Sequence, residues 1–289
     1  MQSDVSSTLS NLVELQNGDG GWGYNRGGSW TEPAAYVLLA LRAAGRMDAA
    51  FARGLSYLEK LQRQDGGWPP HSSIGQSTWV TALALLAMAD RMRPADLEKA
   101  RAWLLAQSGR ESGYIYRIRE WMLSGRIAGD ASHSGWPWYP GTAAWVAPTA
   151  FTVMALEKAG GVRPDSRARP RIETGRKFLL ARACRDGGWN HGSNRALGFD
   201  LGSYPETTGL ALLALHGARG PAIDNGISRA EQHLASCSSA GARSWLCIGL
   251  RAHGRTSPAP AAAPVFRTTI DAALHVIAST EGGNDVFLS

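Results

Sequence analysis

Two short stretches of this chain place a carboxylate in the same setting: Ser29-Trp30-Thr31-Glu32 and Ser203-Tyr204-Pro205-Glu206. Each Glu opens a run that carries no further charge, EPAAYVLLAL and ETTGLALLAL. A carboxylate facing an apolar cavity from such a position has its proton affinity raised by desolvation. That suits a general acid near neutral pH. Asp200, in ALGFDLGSYPE, is a third carboxylate nearby. The Ser-x-x-Glu spacing also reads as a capping box at a helix start, where the dipole favours negative charge. Both readings stand on the sequence alone.

His71, His133 and His191 flank Gly-Trp turns, and loops gathered at one end would let them bind a metal or shuttle protons. Their spacing is too wide for a ligand motif, so ordinary loop histidines are the plainer reading; neither metal nor cofactor is expected. Arg117, Arg119 and Arg126 could grip a diphosphate, or simply be solvated helix charges. The formal charge of +6 comes almost wholly from Arg and forms no dense basic run, which argues against nucleic-acid binding. Cys184, Cys237 and Cys247 lack metal-type spacing and fit a reducing cytoplasm. No signal peptide is apparent in MQSDVSSTLSNLVELQ, and the longest uncharged apolar runs, such as WVTALALLAMA, are too short to span a bilayer. A cytoplasmic location is expected, with peripheral membrane contact left open.

The elements that must position these residues are set by a repeat. LVELQNGDGGWGY, LEKLQRQDGGWPPH and FLLARACRDGGWNHG share a helix end, an Asp-Gly-Gly turn and a Trp. Phe51, Leu55, Tyr57, Leu58 and Leu61 recur at helical spacing between Arg53, Glu59 and Lys60, giving an amphipathic helix. LEKARAWLLAQ and ETGRKFLLARAC read alike, and the intervals Tyr57 to Trp68, Trp103 to Tyr114 and Phe178 to Trp189 are equal. The next helix of each repeat, from Glu32, Thr78, Ala147 and Glu206, is apolar on all sides and must be buried all round. Dry helices inside and half-wet helices outside make an all-α, α/α toroid of helix pairs. Residues 1–289 read as one domain, with an insert at 115–135 and a Pro/Ala linker at 257–264 before a last helix.

The pattern Arg53-Gly54-x-x-Tyr57-Leu58-x-x-x-Gln62-x-x-x-Gly66-x-Trp68 resembles the QW repeat of squalene–hopene and oxidosqualene cyclases. Gln16, Gly20 and Trp22 match its second half, while Ala183 stands at the Gln position before Trp189. The β subunits of protein prenyltransferases share this toroid. The resemblance implies the fold, with Gln and Trp clamping the repeats together. The chain departs from both families in its chemistry, having neither the Asp-x-Asp-Asp acid motif of the cyclases nor the Asp-x-Cys zinc pair of the prenyltransferases.

The resemblance and the paired carboxylates together imply an enzyme of the isomerase or lyase class acting on a hydrophobic isoprenoid or polyene in a central cavity. Glu206 or Glu32 would supply the starting proton, with Asp200 beside them. Aligning the inner helices puts Glu32, Trp79, Ala147 and Glu206 at one level near the cavity mouth. Trp30, Tyr36, Trp79, Trp145 and Tyr204, with His71 and His191, would contact the substrate, the ring faces stabilising a carbocation. The alternatives are a non-catalytic lipid or peptide binding toroid and a polysaccharide-lyase-like toroid enzyme.

Overall fold

The computed structural model describes residues 2–110, 133–196, 199–256 and 265–288. Tyr114, Arg117, Arg119 and Arg126, most of the expected insert and the 257–264 linker lie outside them. The first helices are α1 (Gln2–Glu14), α2 (Thr31–Ala43), α3 (Ala49–Leu61), α4 (Val80–Met88) and α5 (Pro94–Ala106). They are succeeded by α6 (Val146–Val162), α7 (Ala168–Ala181), α8 (Pro205–Ala214) and α9 (Pro221–Ser236). The chain then forms α10 (Ala240–Ala252), α11 (Thr269–Ser279) and a short α12 (Asp285–Leu288). Among the described residues no helix is long and apolar enough to cross a membrane.

The alternation of dry and half-wet helices dictates the architecture. Every residue of α4 is buried, whereas α3 buries only Ala50, Phe51, Gly54, Tyr57 and Leu58, one stripe of an amphipathic helix. Accordingly α2, α4, α6, α8, α10 and α11 pack in succession, and α11 closes on α2. The amphipathic α3, α5, α7 and α9 lie outside this ring, and α1 packs on α11. The fold is an all-α, α/α toroid. Two short antiparallel ladders edge its loops: β1 (Trp136–Pro137) with β2 (Ala144–Trp145), and β3 (Arg195–Ala196) with β4 (Phe199–Asp200).

The repeated Trp holds the layers together. Its indole N–H donates to a carbonyl at the end of the preceding outer helix: Trp22 to Leu12, Trp68 to Leu58 and Trp189 to Leu179, each at 2.7 Å. Trp136 makes the same bond to Leu104 at 2.8 Å. The third repeat's aromatic is therefore Trp136, not Tyr114 as equal intervals predict; an insertion separates this Trp from its helix without altering the packing unit. Trp22, Trp136 and Trp189 then lie on the next outer helix, where a glycine leaves room; the helix after Trp68 has no glycine. A Cβ on Gly54 would stand 2.7 Å from Trp22, one on Gly175 2.6 Å from Trp136, and one on Gly226 2.6 Å from Trp189. Truncating such a buried indole costs about 3–5 kcal/mol.

The Gln of the motif binds two carbonyls at once. Gln16 Nε2 donates to Gly20 and Ala50, both at 2.8 Å, and Gln62 Nε2 to Gly66 at 3.1 Å and Asp96 at 3.0 Å. One amide thus ties a turn to the start of the next outer helix. In the third repeat Arg171 takes this place, donating to the carbonyls of Ser134, Gln107 and Gly135 while its guanidinium lies 3.5 Å from the Trp136 ring centroid. Burial pushes its pKa down to about 10. In the fourth, Asn194 donates to Ala181 and Ala183.

At the C-terminal ends of the inner helices, α12 packs against α2, α4 and α6. Phe287 is fully buried there, and the buried Lys158 donates to the Val286 carbonyl at 2.7 Å.

Candidate active site

One hydrogen bond recurs around the opposite end of the ring. An amide at the start of an inner helix donates to the carbonyl two residues after a motif Trp of the next repeat: Thr31 to Pro70 at 2.9 Å, Trp79 to Trp138 at 3.2 Å, and Val146 to His191 at 2.9 Å. On α11, Thr269 donates to Tyr24 at 2.7 Å and so links the last helix to the first turn. The positions occupied by Tyr24, Pro70, Trp138 and His191 are therefore equivalent, and they rim the mouth with rings. These bonds also satisfy amides that a helix N-terminus leaves unpaired.

The Ser residues of the two Ser-x-x-Glu stretches do not cap the helices. Ser29 Oγ donates to Asp19 at 2.7 Å, Ser77 to Asp65 at 2.8 Å and Ser203 to Asp186 at 2.9 Å, all in Asp-Gly-Gly turns. The N-cap residues are Trp30 and Tyr204, without side-chain caps. The capping-box reading is thereby corrected: an extended N-cap turns Ser back to its own turn and frees the Glu.

Glu32, so freed, pairs with Tyr24 at this end of the ring. It lies half-buried in the first turn of α2, and its Oε2 accepts a hydrogen bond from the Tyr24 phenol at 2.5 Å. Burial raises the Glu32 pKa above the usual carboxylate value, and the Tyr24 hydrogen bond only partly opposes this. Burial and the neighbouring Glu32 charge push the Tyr24 phenol well up, so it remains a donor. One turn on, Tyr36 is buried and its phenol is also raised, by burial first and then by Glu32 and Tyr24. Trp30 packs between Tyr24 and His71, with ring centroids 5.7 Å and 4.8 Å away. The Ser73 amide donates to Nδ1 of His71, which leaves the ring proton on Nε2 in the neutral form.

The other predicted residues fall into two groups. Tyr36 and Trp79 belong to the interior: Trp79 stands 4.6 Å from Trp138 and 5.6 Å from Phe151, centroid to centroid. Trp145, His191 and Tyr204 form a wetter side, where His191 stacks on Tyr204 at 5.0 Å and Trp145 covers Gly192. Glu206 lies exposed in the first turn of α8, within the electrostatic reach of His233. Asp200 is ion-paired with Arg185 at 3.1 Å and Arg195 at 3.3 Å. Half-buried His133 begins a described segment beside the third turn. Among the described residues no group of His, Cys, Asp or Glu is placed to hold a metal.

Tyr24, Trp138, Phe151 and Trp245 complete the site without belonging to any motif. Two signals could have marked some of them: Tyr24 and Trp138 stand two residues after a motif Trp, and Phe151 stands four after Ala147, as Tyr36 does after Glu32. Trp245 carries no such mark.

Residues 5–118 match the squalene-hopene cyclase N-terminal domain. The squalene–hopene cyclase of Alicyclobacillus acidocaldarius is 37% identical over 185 residues, covering 62% of this chain and 27% of that enzyme. The chain spans 27% or less of the length of the curated relatives it matches. Among solved structures, the type II terpene cyclase MstE from Scytonema in complex with merosterolic acid A superposes with a TM-score of 0.57 at 18% identity, over 95% of this chain and 78% of that one. The glycoside hydrolase family 76 mannosidase Bt3792 from Bacteroides thetaiotaomicron gives 0.60 at 12% identity, over 96% of each chain. At these identities the likeness to both structures is one of fold.

Proposed function

We propose that this toroid of the terpenoid-cyclase-like superfamily acts on a hydrophobic isoprenoid or polyene at the ring mouth, with Glu32 as the acid that starts the reaction. The observation that carries the reading is the half-buried Glu32 carboxyl, held by Tyr24, whose ring packs on Trp30 and through it on His71, with Tyr36 one turn further along the helix. Desolvation keeps a proton on this carboxyl at higher pH than on an exposed one. Proton transfer from Glu32 to an alkene carbon leaves a carboxylate, and the Tyr24 phenol stabilises it by its hydrogen bond. The carbocation formed at the neighbouring carbon faces the rings of Trp30, Tyr36 and Trp79, whose π faces attract positive charge. Loss of an adjacent C–H proton to the carboxylate forms the new double bond and restores the acid.

Native mass spectrometry with solvent extraction would identify a co-purified isoprenoid, whose turnover would then be compared between wild type and Glu32→Gln. Undiminished turnover in Glu32→Gln would refute the acid assignment. A second reading, a carbohydrate-active toroid, draws on the wetter side of the mouth, where exposed Glu206 and Tyr204 lie near Trp145 and His191. Binding of oligosaccharides with no affinity for prenols would favour it.

A further inference from the structure

Tyr36, Phe151 and Trp245 come from α2, α6 and α10, which are alternate helices of the inner ring. Their rings nevertheless touch: the centroids are 6.3 Å apart for Tyr36 and Phe151, 6.2 Å for Tyr36 and Trp245, and 5.8 Å for Phe151 and Trp245. Side chains from alternate helices of a closed ring can meet in this way only at its axis. All three residues are buried, and Phe287 of α12 packs on Trp245 at 5.7 Å. Rings therefore cross the axis at this level, and α12 backs them.

The distance from this layer to the acid is short. Tyr36 lies four residues after Glu32, and Phe151 lies the same interval after Ala147. That is an advance of about 6 Å along a helix. Long side chains lean toward the helix N-terminus, which here is the mouth, so the free depth is smaller still.

We infer that Tyr36, Phe151 and Trp245 form the floor of the site and admit only the terminal one or two isoprene units of a linear chain. This floor rests on the isoprenoid reading of the site, and it narrows the reaction. After Glu32 protonates the terminal alkene, the chain has no room to fold into successive rings. The cation then loses an adjacent proton to the Glu32 carboxylate, giving a double-bond isomer, or closes a single ring before that loss. Substrates would be linear prenyl compounds whose distal part remains outside the mouth.

Calorimetric titration of linear prenols of five, ten, fifteen and twenty carbons tests the floor. Burial of each added unit strengthens binding tenfold or more. Wild-type affinity is therefore expected to rise at least tenfold from five to ten carbons and then to change less than threefold. Phe151→Ala is expected to extend the rise to fifteen carbons. Wild-type gains of tenfold at both fifteen and twenty carbons would overturn the floor and leave the isoprenoid reading standing. Absence of binding at every length would overturn the isoprenoid reading itself, and the floor with it. Should Phe151→Ala fail to fold, Phe151→Leu replaces it, and the wild-type series decides by itself.

Discussion

The phenol of Tyr24 donates to Glu32 Oε2 at 2.5 Å, while the carbonyl of the same Tyr24 accepts the Thr269 amide at 2.7 Å. One residue thus joins the last inner helix to the first turn and also holds the Glu32 carboxyl. The link between fold and site is direct here. Removing the phenol oxygen leaves the ring-closing backbone bond in place.

Tyr24→Phe is expected to raise the Glu32 pKa further, because the lost hydrogen bond favours the carboxylate. Carbon-13 NMR titration of the Glu32 carboxyl in wild type and variant reads this shift. A lower value in Tyr24→Phe would contradict the assignment of Tyr24 as donor.

Glu32→Gln is expected to keep the fold and lower turnover by at least about a hundredfold, the usual range for loss of a general acid. Glu206→Gln is the matched control from the exposed side of the mouth; equal losses in both would assign the acid to neither residue alone. Stability offers a second readout. The folded-state pKa of Glu32 is raised, so its contribution is fully present below the ordinary carboxylate pKa and is lost as pH rises through the raised value. Urea midpoints of wild type and Glu32→Gln should diverge as pH increases, in favour of the variant.

Gly54→Ala is expected to destabilise by about 1–3 kcal/mol, the range for overpacking. Its new methyl would stand 2.7 Å from Trp22 and 2.9 Å from Leu38, both buried. Gly18→Ala, with nothing within 4 Å of the added carbon, should lie within about 0.5 kcal/mol of wild type. Urea denaturation of the two variants checks the contrast.

Lys158 has its pKa pushed down to about 8 from 10.5, first by burial and then by the Arg42 charge. A depressed folded-state pKa contributes stability that is present above 10.5 and lost as pH falls through about 8. Wild type should therefore gain stability relative to Lys158→Met between these values, by at most ~3 kcal/mol. Guanidinium midpoints at pH 7, 9 and 10 measure it; a constant difference would show that the folded-state pKa of Lys158 is not depressed.

Much of the scaffold was legible in the sequence because it rests on local, repeated physics. The charge-free runs from Glu32 and Glu206 could be buried only as inner helices, and the 3.6-residue stripe at Phe51, Tyr57 and Leu58 could only be an outer one. The Gln and Trp of each turn announced a clamp, and Gln16, Gln62, Trp22 and Trp68 form it. Equal spacing misled at Tyr114, because Trp136 packs as the motif Trp however long the chain takes to reach it. Ser29 and Ser203 fit a capping box by spacing, yet the competing acceptors, Asp19 and Asp186, lie in turns that only the folded chain brings beside them. The different surroundings of Glu32 and Glu206 were invisible for the same reason. Both open an inner helix, but Tyr24 and Tyr36 surround the first, and the second lies at the surface. The meeting of Tyr36, Phe151 and Trp245 on the axis belongs wholly to tertiary structure, since ring closure sets that distance and no stretch of sequence encodes it.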